Sequence, residues 1–313
     1  MVTRKFLSDQ GGQVSPVEYA DAFCRSLLHS AMRVVRWPVF LAKLCLVLAG
    51  CRFGVGTGPS TAFFYGQPVP GELFERYERV VVEADSLDLE QLPEAAGALA
   101  FAYLSVGEAE RWRSGHEALP RQWFLGVNPA WNTDVADLTA PGWRHYLLDQ
   151  RMAKLWQEGY RGFFLDTLDS YKVVVSDAAD QQRQKRALLS LIREMHQRFP
   201  DAELLFNRGF ELLHEVGQLA SGVVAESLFY GWDAGAQSYR EVSESDRSWL
   251  IERLQTARRR YSLPVTVIDY LPPDERELAL EDAARIDALG FIPWIATPAL
   301  DVVGIGKPDL LER

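Results

Sequence analysis

The sequence predicts an α/β chain folded as a (β/α)8 TIM barrel, a single domain behind an N-terminal signal segment, and two observations lead there. From residue 62 onward eight short apolar or β-branched runs recur, each followed by polar residues and mostly by a segment of helical periodicity. Eight such steps over about 250 residues match the size of a closed barrel. An open doubly wound sheet would use the same elements, but the chain lacks the glycine-rich nucleotide turn of that fold.

In chain order the runs are Ala62–Tyr65, Val80–Glu83, Leu99–Ser105, Gly162–Asp166, Glu203–Asn207, Gly222–Glu226, Pro264–Asp269 and Phe291–Ile295. The clearest helix between them is Pro141–Glu158. It opens on proline, carries Trp143, Leu147, Leu148, Met152, Leu155 and Trp156 at helical spacing, and stops at Gly159. Asp177–Phe199 sets Leu188, Leu191, Ile192, Met195 and Phe199 on one side, and Tyr239–Tyr261 and Asp274–Leu289 read the same way. The second and third connections have weak helical signal. Trp123–Asn128 has the composition of a short strand and is read as part of a long loop after the third run.

The N-terminus reads as an address. Met32–Cys51 places basic residues first, an apolar stretch next and Leu48-Ala-Gly-Cys51 last, the order of a signal peptide ending in a lipobox-like sequence. On this reading Cys51 carries lipid, Met32 is the start, residues 52–60 are a flexible tether, residues 61–306 are the barrel and 307–313 a tail. The expected location is the periplasm or the outer membrane, with secretion as the alternative. Lys43 interrupts the apolar stretch, so a mature membrane span is not expected.

Charge narrows the partners. The first 51 residues hold six Lys/Arg and three Asp/Glu; the rest holds 27 and 40, a balance of −13. Such a body repels nucleic acid and favours neutral or cationic ligands. The five histidines have no ligand-like spacing and all three cysteines lie at or before Cys51, so neither a zinc site nor a thiol nucleophile is expected. No serine elbow or phosphate loop occurs. No cofactor is expected, and oligomeric state is not legible.

Barrel active sites lie at the carboxyl ends of the strands. Read there, the runs give Tyr65, Glu83, Ser105 with Glu108, Asp166 with Asp169, Asn207, Glu226, Asp269 with Tyr270, and Trp294. Asp166 and Glu226, on strands four and six with one strand between, form the sharpest pair. Two carboxylates flanking one bond are what glycoside hydrolysis needs, one protonated to assist the leaving oxygen and one ionised to attack carbon or activate water. Asp166 is preferred as nucleophile and Glu226 as acid/base, with the reverse open. Tyr171, Trp232 and Trp294 join the substrate-binding candidates, because sugar rings stack on aromatic faces.

Tyr65-Gly66, Ala102–Glu108, Gly162–Tyr171 and Ala225–Phe229 together resemble the endo-α-1,4-polygalactosaminidase group of glycoside hydrolases, over about residues 60–306. The resemblance implies cleavage within chains of partly deacetylated α-1,4-linked N-acetylgalactosamine, a cationic exopolysaccharide, in or beyond the periplasm. It places that group's acids on Asp166 and Glu226. The alternative from another class is a non-catalytic, lipid-anchored protein that binds cationic glycan.

Overall fold

The structure, a computed structural model, describes residues 58–306 except 88 and 90–98. The expectations for the signal segment, Cys51, the start of the tether and the tail fall outside the described residues. Residues 58–60, read as the end of the tether, are packed. Ser60 N donates to Glu78 Oε2 at 2.9 Å, and Gly58 lies so close to Pro264 that a Cβ there would meet its ring at 2.2 Å.

Eight parallel strands form one curled sheet: β1 (Thr61–Phe64), β2 (Arg79–Val82), β3 (Leu99–Ser105), β7 (Gly162–Asp166), β8 (Glu203–Asn207), β9 (Ala220–Glu226), β12 (Val265–Tyr270) and β13 (Ile292–Ala296). They neighbour one another in that order, so the eight runs read from sequence are the eight barrel strands. The sheet curls until β13 lies alongside β1, and Tyr65 N donates to Leu300 O at 2.8 Å across the seam. Strands covered on both faces read as continuous apolar runs, and β1 and β2 are buried throughout. In β7, β8, β9 and β12 burial persists to the penultimate residue and relaxes at the last, where the mouth opens.

The opposite end is closed by a charge. Arg79 is buried, and its Nη2 pairs with Glu203 Oε2 at 2.5 Å while Nη1 donates to Ser221 O. Its guanidinium also lies 5.5 Å from the Phe101 ring centre. That ring lies across Gly162, its partner on β7, where a Cβ would approach it to 2.4 Å. Only glycine lets β3 and β7 pair with this ring between them.

Helices cover the sheet. Ala178–Arg198 is capped by Asp177, which accepts from Asp180 N, and Arg276–Ala288 lies within the expected Asp274–Leu289. Three expectations change. Trp123–Asn128 is not loop: Phe124–Asn128 is β5 in a three-stranded antiparallel sheet with β4 (Glu108–Glu110) and β6 (Thr133–Ala136), inserted after β3. The helix expected over Tyr239–Tyr261 begins only at Glu244. Residues 238–241 form β11, which pairs with β10 (Tyr230–Asp233) as a hairpin before the Ser243 cap. The helix beginning at Pro141 is interrupted by π-helical turns over Tyr146–Met152, an extra residue per turn that hydrophobic spacing alone does not reveal.

Candidate active site

The acid pair assembles as its strand positions require. Asp166 ends β7, Asn207 ends β8 and Glu226 ends β9, so one amide stands between two carboxylates. Asn207 Nδ2 donates to Asp166 Oδ1 at 2.7 Å and to Glu226 Oε1 at 3.3 Å. Two contacts to one nitrogen keep those oxygens no more than about 6 Å apart. Phenols complete the ring. Tyr103 Oη donates to Asp166 Oδ2 at 2.9 Å, and Tyr270 Oη donates to Glu226 Oε2.

Burial is the main electrostatic influence. It raises the Asp166 carboxyl to about 6, with the charge of Glu226 acting the same way and the donors Thr167, Asn207 and Tyr103 opposing. Burial likewise pushes the phenols of Tyr65, Tyr103 and Tyr270 up, as do the nearby carboxylates, so all three remain donors at any working pH. The Tyr65 ring meets Tyr103 edge-on at 5.6 Å. Glu83, at the end of β2, binds Arg113 Nη2 at 2.7 Å, and Arg113 also holds Glu110 and lies 5.5 Å from the Tyr103 ring centre.

The main chain beneath the pair is tied down. Thr167 and Arg208, directly after Asp166 and Asn207, take left-handed backbone angles with φ of 61° and 54°, costing on the order of 1–3 kcal/mol each. Both are bonded in place. Thr167 Oγ1 accepts from Gly107 N at 2.8 Å, and Arg208 Nη2 donates to the Glu226 carbonyl. Gly107 has no room for a side chain, since a Cβ would lie 2.2 Å from Thr167 O.

Other expected residues go elsewhere. Ser105 lies under the site as a tie, bonded to Glu108 O at 2.8 Å and Thr167 Oγ1 at 3.0 Å. Glu108 is buried in the small sheet, its carboxylate taken by Asn128 and Thr133. Asp169 is exposed beside Lys172, and Tyr171 is buried with its hydroxyl on Glu211. Trp232 is half-buried on the β10–β11 hairpin, edge-on to Tyr239 at 4.9 Å. Trp294 is a core residue, 3% exposed and edge-on to Tyr77.

Asp269 also leaves the mouth. Strand pleat sends Tyr270 inward and its neighbour Asp269 outward, where it is fully buried. Its carboxylate accepts from the backbone N–H groups of Leu228, Phe229 and Tyr230 at 2.5, 2.7 and 3.1 Å. It therefore clamps the turn that begins two residues after Glu226. Behind it stands Asp282 of the helix Arg276–Ala288, equally buried, its carboxylate oxygens without a hydrogen-bond donor among the described residues and Oδ1 4.0 Å from Arg285 Nη1. Burial raises both carboxyls. Because Asp269 is supplied with three N–H donors and Asp282 with none, Asp282 is the carboxyl better suited to hold a proton.

Sequence reading missed Tyr103, Arg113 and Asp282. Tyr103 was recoverable, since Phe101, Tyr103 and Ser105 share the inward face of β3 by alternation. Among the described residues no group of three His, Cys, Asp or Glu is arranged to hold a metal ion.

Paired strand-end carboxylates bridged by an amide and ringed by phenols, on an eight-stranded parallel barrel, mark the chain as a barrel glycoside hydrolase. It belongs to glycoside hydrolase family GH114, whose model matches residues 76–308. The glycoside hydrolase domain of PelA from Pseudomonas aeruginosa is 42% identical, covers 79% of this chain and 98% of that domain, and superposes with a TM-score of 0.72. Ega3 of Aspergillus fumigatus, solved in complex with galactosamine, shares the fold at 17% identity and a TM-score of 0.57, over 79% of this chain and 94% of that one. An uncharacterized protein of Methanocaldococcus jannaschii, MJ1477, is 25% identical over 231 residues, which are 67% of this chain and 64% of that protein.

Proposed function

We propose that this chain is an endo-acting hydrolase of a galactosamine-rich polysaccharide, α-1,4-linked and partly deacetylated. The observation that carries the reading is the Asp166–Asn207–Glu226 bridge. In the proposed mechanism Asp166, held by Asn207 and Tyr103, attacks the anomeric carbon while Glu226 gives its proton to the leaving oxygen. Glu226 then takes a proton from water as that water releases the sugar from Asp166. Carboxyl groups about 5–5.5 Å apart serve such a double displacement, whereas inversion needs roughly 6.5–9.5 Å to admit a water. A bridge through one amide nitrogen favours the shorter gap and hence retention.

The acid pair and the Glu83–Arg113–Glu110 cluster leave the mouth acidic, which suits a polymer bearing free ammonium groups. The identity to the PelA domain and the galactosamine bound to Ega3 make this sugar the first to test. Incubation with partly deacetylated α-1,4-galactosamine polymer should release reducing ends and yield a ladder of oligosaccharides. Absence of new reducing ends would overturn the reading in favour of glycan binding alone.

A pH dependence follows. Catalysis needs one proton on the pair, and the last proton leaves as pH rises through about 6, where burial and Glu226 place the Asp166 carboxyl. kcat/KM is therefore expected to fall about ten-fold per unit well above pH 6. A profile flat from pH 5 to 8 would contradict this.

Export with lipid on Cys51 belongs to the same proposal, supported by the Leu48–Cys51 sequence. Fatty-acid labelling that is equal with and without Cys51→Ala would defeat the lipid anchor.

A further inference from the structure

Trp112 and Trp131 are the most exposed large apolar side chains among the described residues, at 66% and 60%. Scattered surface apolar residues need no explanation, but these two are not scattered. β4 and β6 pair antiparallel with Glu110 opposite Thr133. Beyond that pair both chains turn, Trp112 lying in the turn closed by Arg113 N on Glu110 O and Trp131 in the turn that joins β5 to β6. The two turns are tied together: Arg111, next to Trp112, donates from Nη1 to Oδ1 of Asn132, next to Trp131, at 3.0 Å, and its other nitrogen pairs with Asp134.

This end of the small sheet borders the acid pair. Arg113, the residue after Trp112, reaches Glu83 at the end of β2 and lies over the ring of Tyr103, whose hydroxyl holds Asp166. Arg113 thus faces the mouth while Trp112 beside it stays in solvent.

We propose that Trp112 and Trp131 form an outlying subsite that grips the polysaccharide beyond the sugars at the acid pair. Indole faces receive the apolar C–H faces of sugar rings, and an ammonium group on an amino sugar adds attraction to the same π surface. The subsite lies on the inserted sheet and leaves the barrel mouth itself unobstructed.

The inference rests on the proposed function, so its test separates the two. Wild type, Trp112→Ala/Trp131→Ala and Trp112→Phe/Trp131→Phe are compared on the galactosamine polymer and on the shortest oligosaccharide the wild type cleaves. The alanine pair should raise KM for the polymer roughly ten-fold with kcat and short-substrate turnover unchanged, and the phenylalanine pair should recover most of the loss. Equal polymer KM in wild type and the alanine pair would overturn the subsite, as would an equal loss on both substrates. Should wild type cleave nothing, the functional reading fails and the subsite is judged by affinity electrophoresis in the polymer. Greater retention of wild type than of the alanine pair then supports it, and equal mobility overturns it.

Discussion

Asp166→Asn and Glu226→Gln are each expected to lower polymer hydrolysis by roughly 10²–10⁴-fold, with polymer binding changed no more than a few-fold. Both substitutions preserve shape and remove only the charge or the proton. Asparagine at 166 cannot attack the anomeric carbon, although an amide oxygen still accepts from Tyr103 or Asn207. Glutamine at 226 still accepts from Tyr270 but has no acidic proton for the leaving group. Because the two carboxylates work as a unit, the double variant should be little worse than either single one. Reducing-end assays at pH 5.5, with affinity electrophoresis for binding, decide the matter. Activity that survives in both variants would remove the pair from the mechanism.

Asp269→Ala should produce the largest loss of stability, on the order of 3–5 kcal/mol, because it strands three buried N–H donors. Whatever folds should show reduced kcat, since the released turn begins two residues after Glu226. Asp282→Asn should act in the opposite direction. Burial raises the Asp282 carboxyl to about 6 in the folded chain, above its unfolded value near 4. A raised carboxyl contributes stability that is full below about pH 4 and is lost as pH rises through about 6. Asparagine has no proton to lose and places no second charge beside Asp269. Denaturant unfolding should find this variant near wild type at pH 4 and more stable at pH 7.5, by on the order of 2 kcal/mol. A variant less stable at pH 7.5 would show that Asp282 is needed as an anion.

The barrel was legible because both faces of each strand are covered, so apolar runs appear undiluted and stop at the mouth. Residues that end a run and point inward, Asp166, Asn207, Glu226 and Tyr270, were therefore found. Asp269 was misplaced because position along a strand does not tell which face a side chain takes, and Trp294 because β13 runs on to Ala296, the partner of Tyr270, leaving Trp294 beside Ile268 below the mouth. Asp269 is one residue from Tyr270 and lies on the other side of the sheet. Glu108 was misplaced for a different reason. It follows β3 closely enough to look like a strand end, but it begins β4, and pairing across a small antiparallel sheet buries it against Thr133 and Asn128. That sheet was hidden by short strands and a bulge between Phe124 and Gly126. Asp282 lies on a helix among ordinary surface acids, and only its packing against Asp269 distinguishes it.

The most direct test of the mechanism is where the sugar goes. Under conditions that slow the second step, such as Glu226→Ala with an activated galactosaminide, mass spectrometry of the digested protein should find one sugar residue on the peptide that contains Asp166. Proton NMR of early wild-type products should show the α anomer. A β product, or an adduct on a peptide without Asp166, would contradict the account.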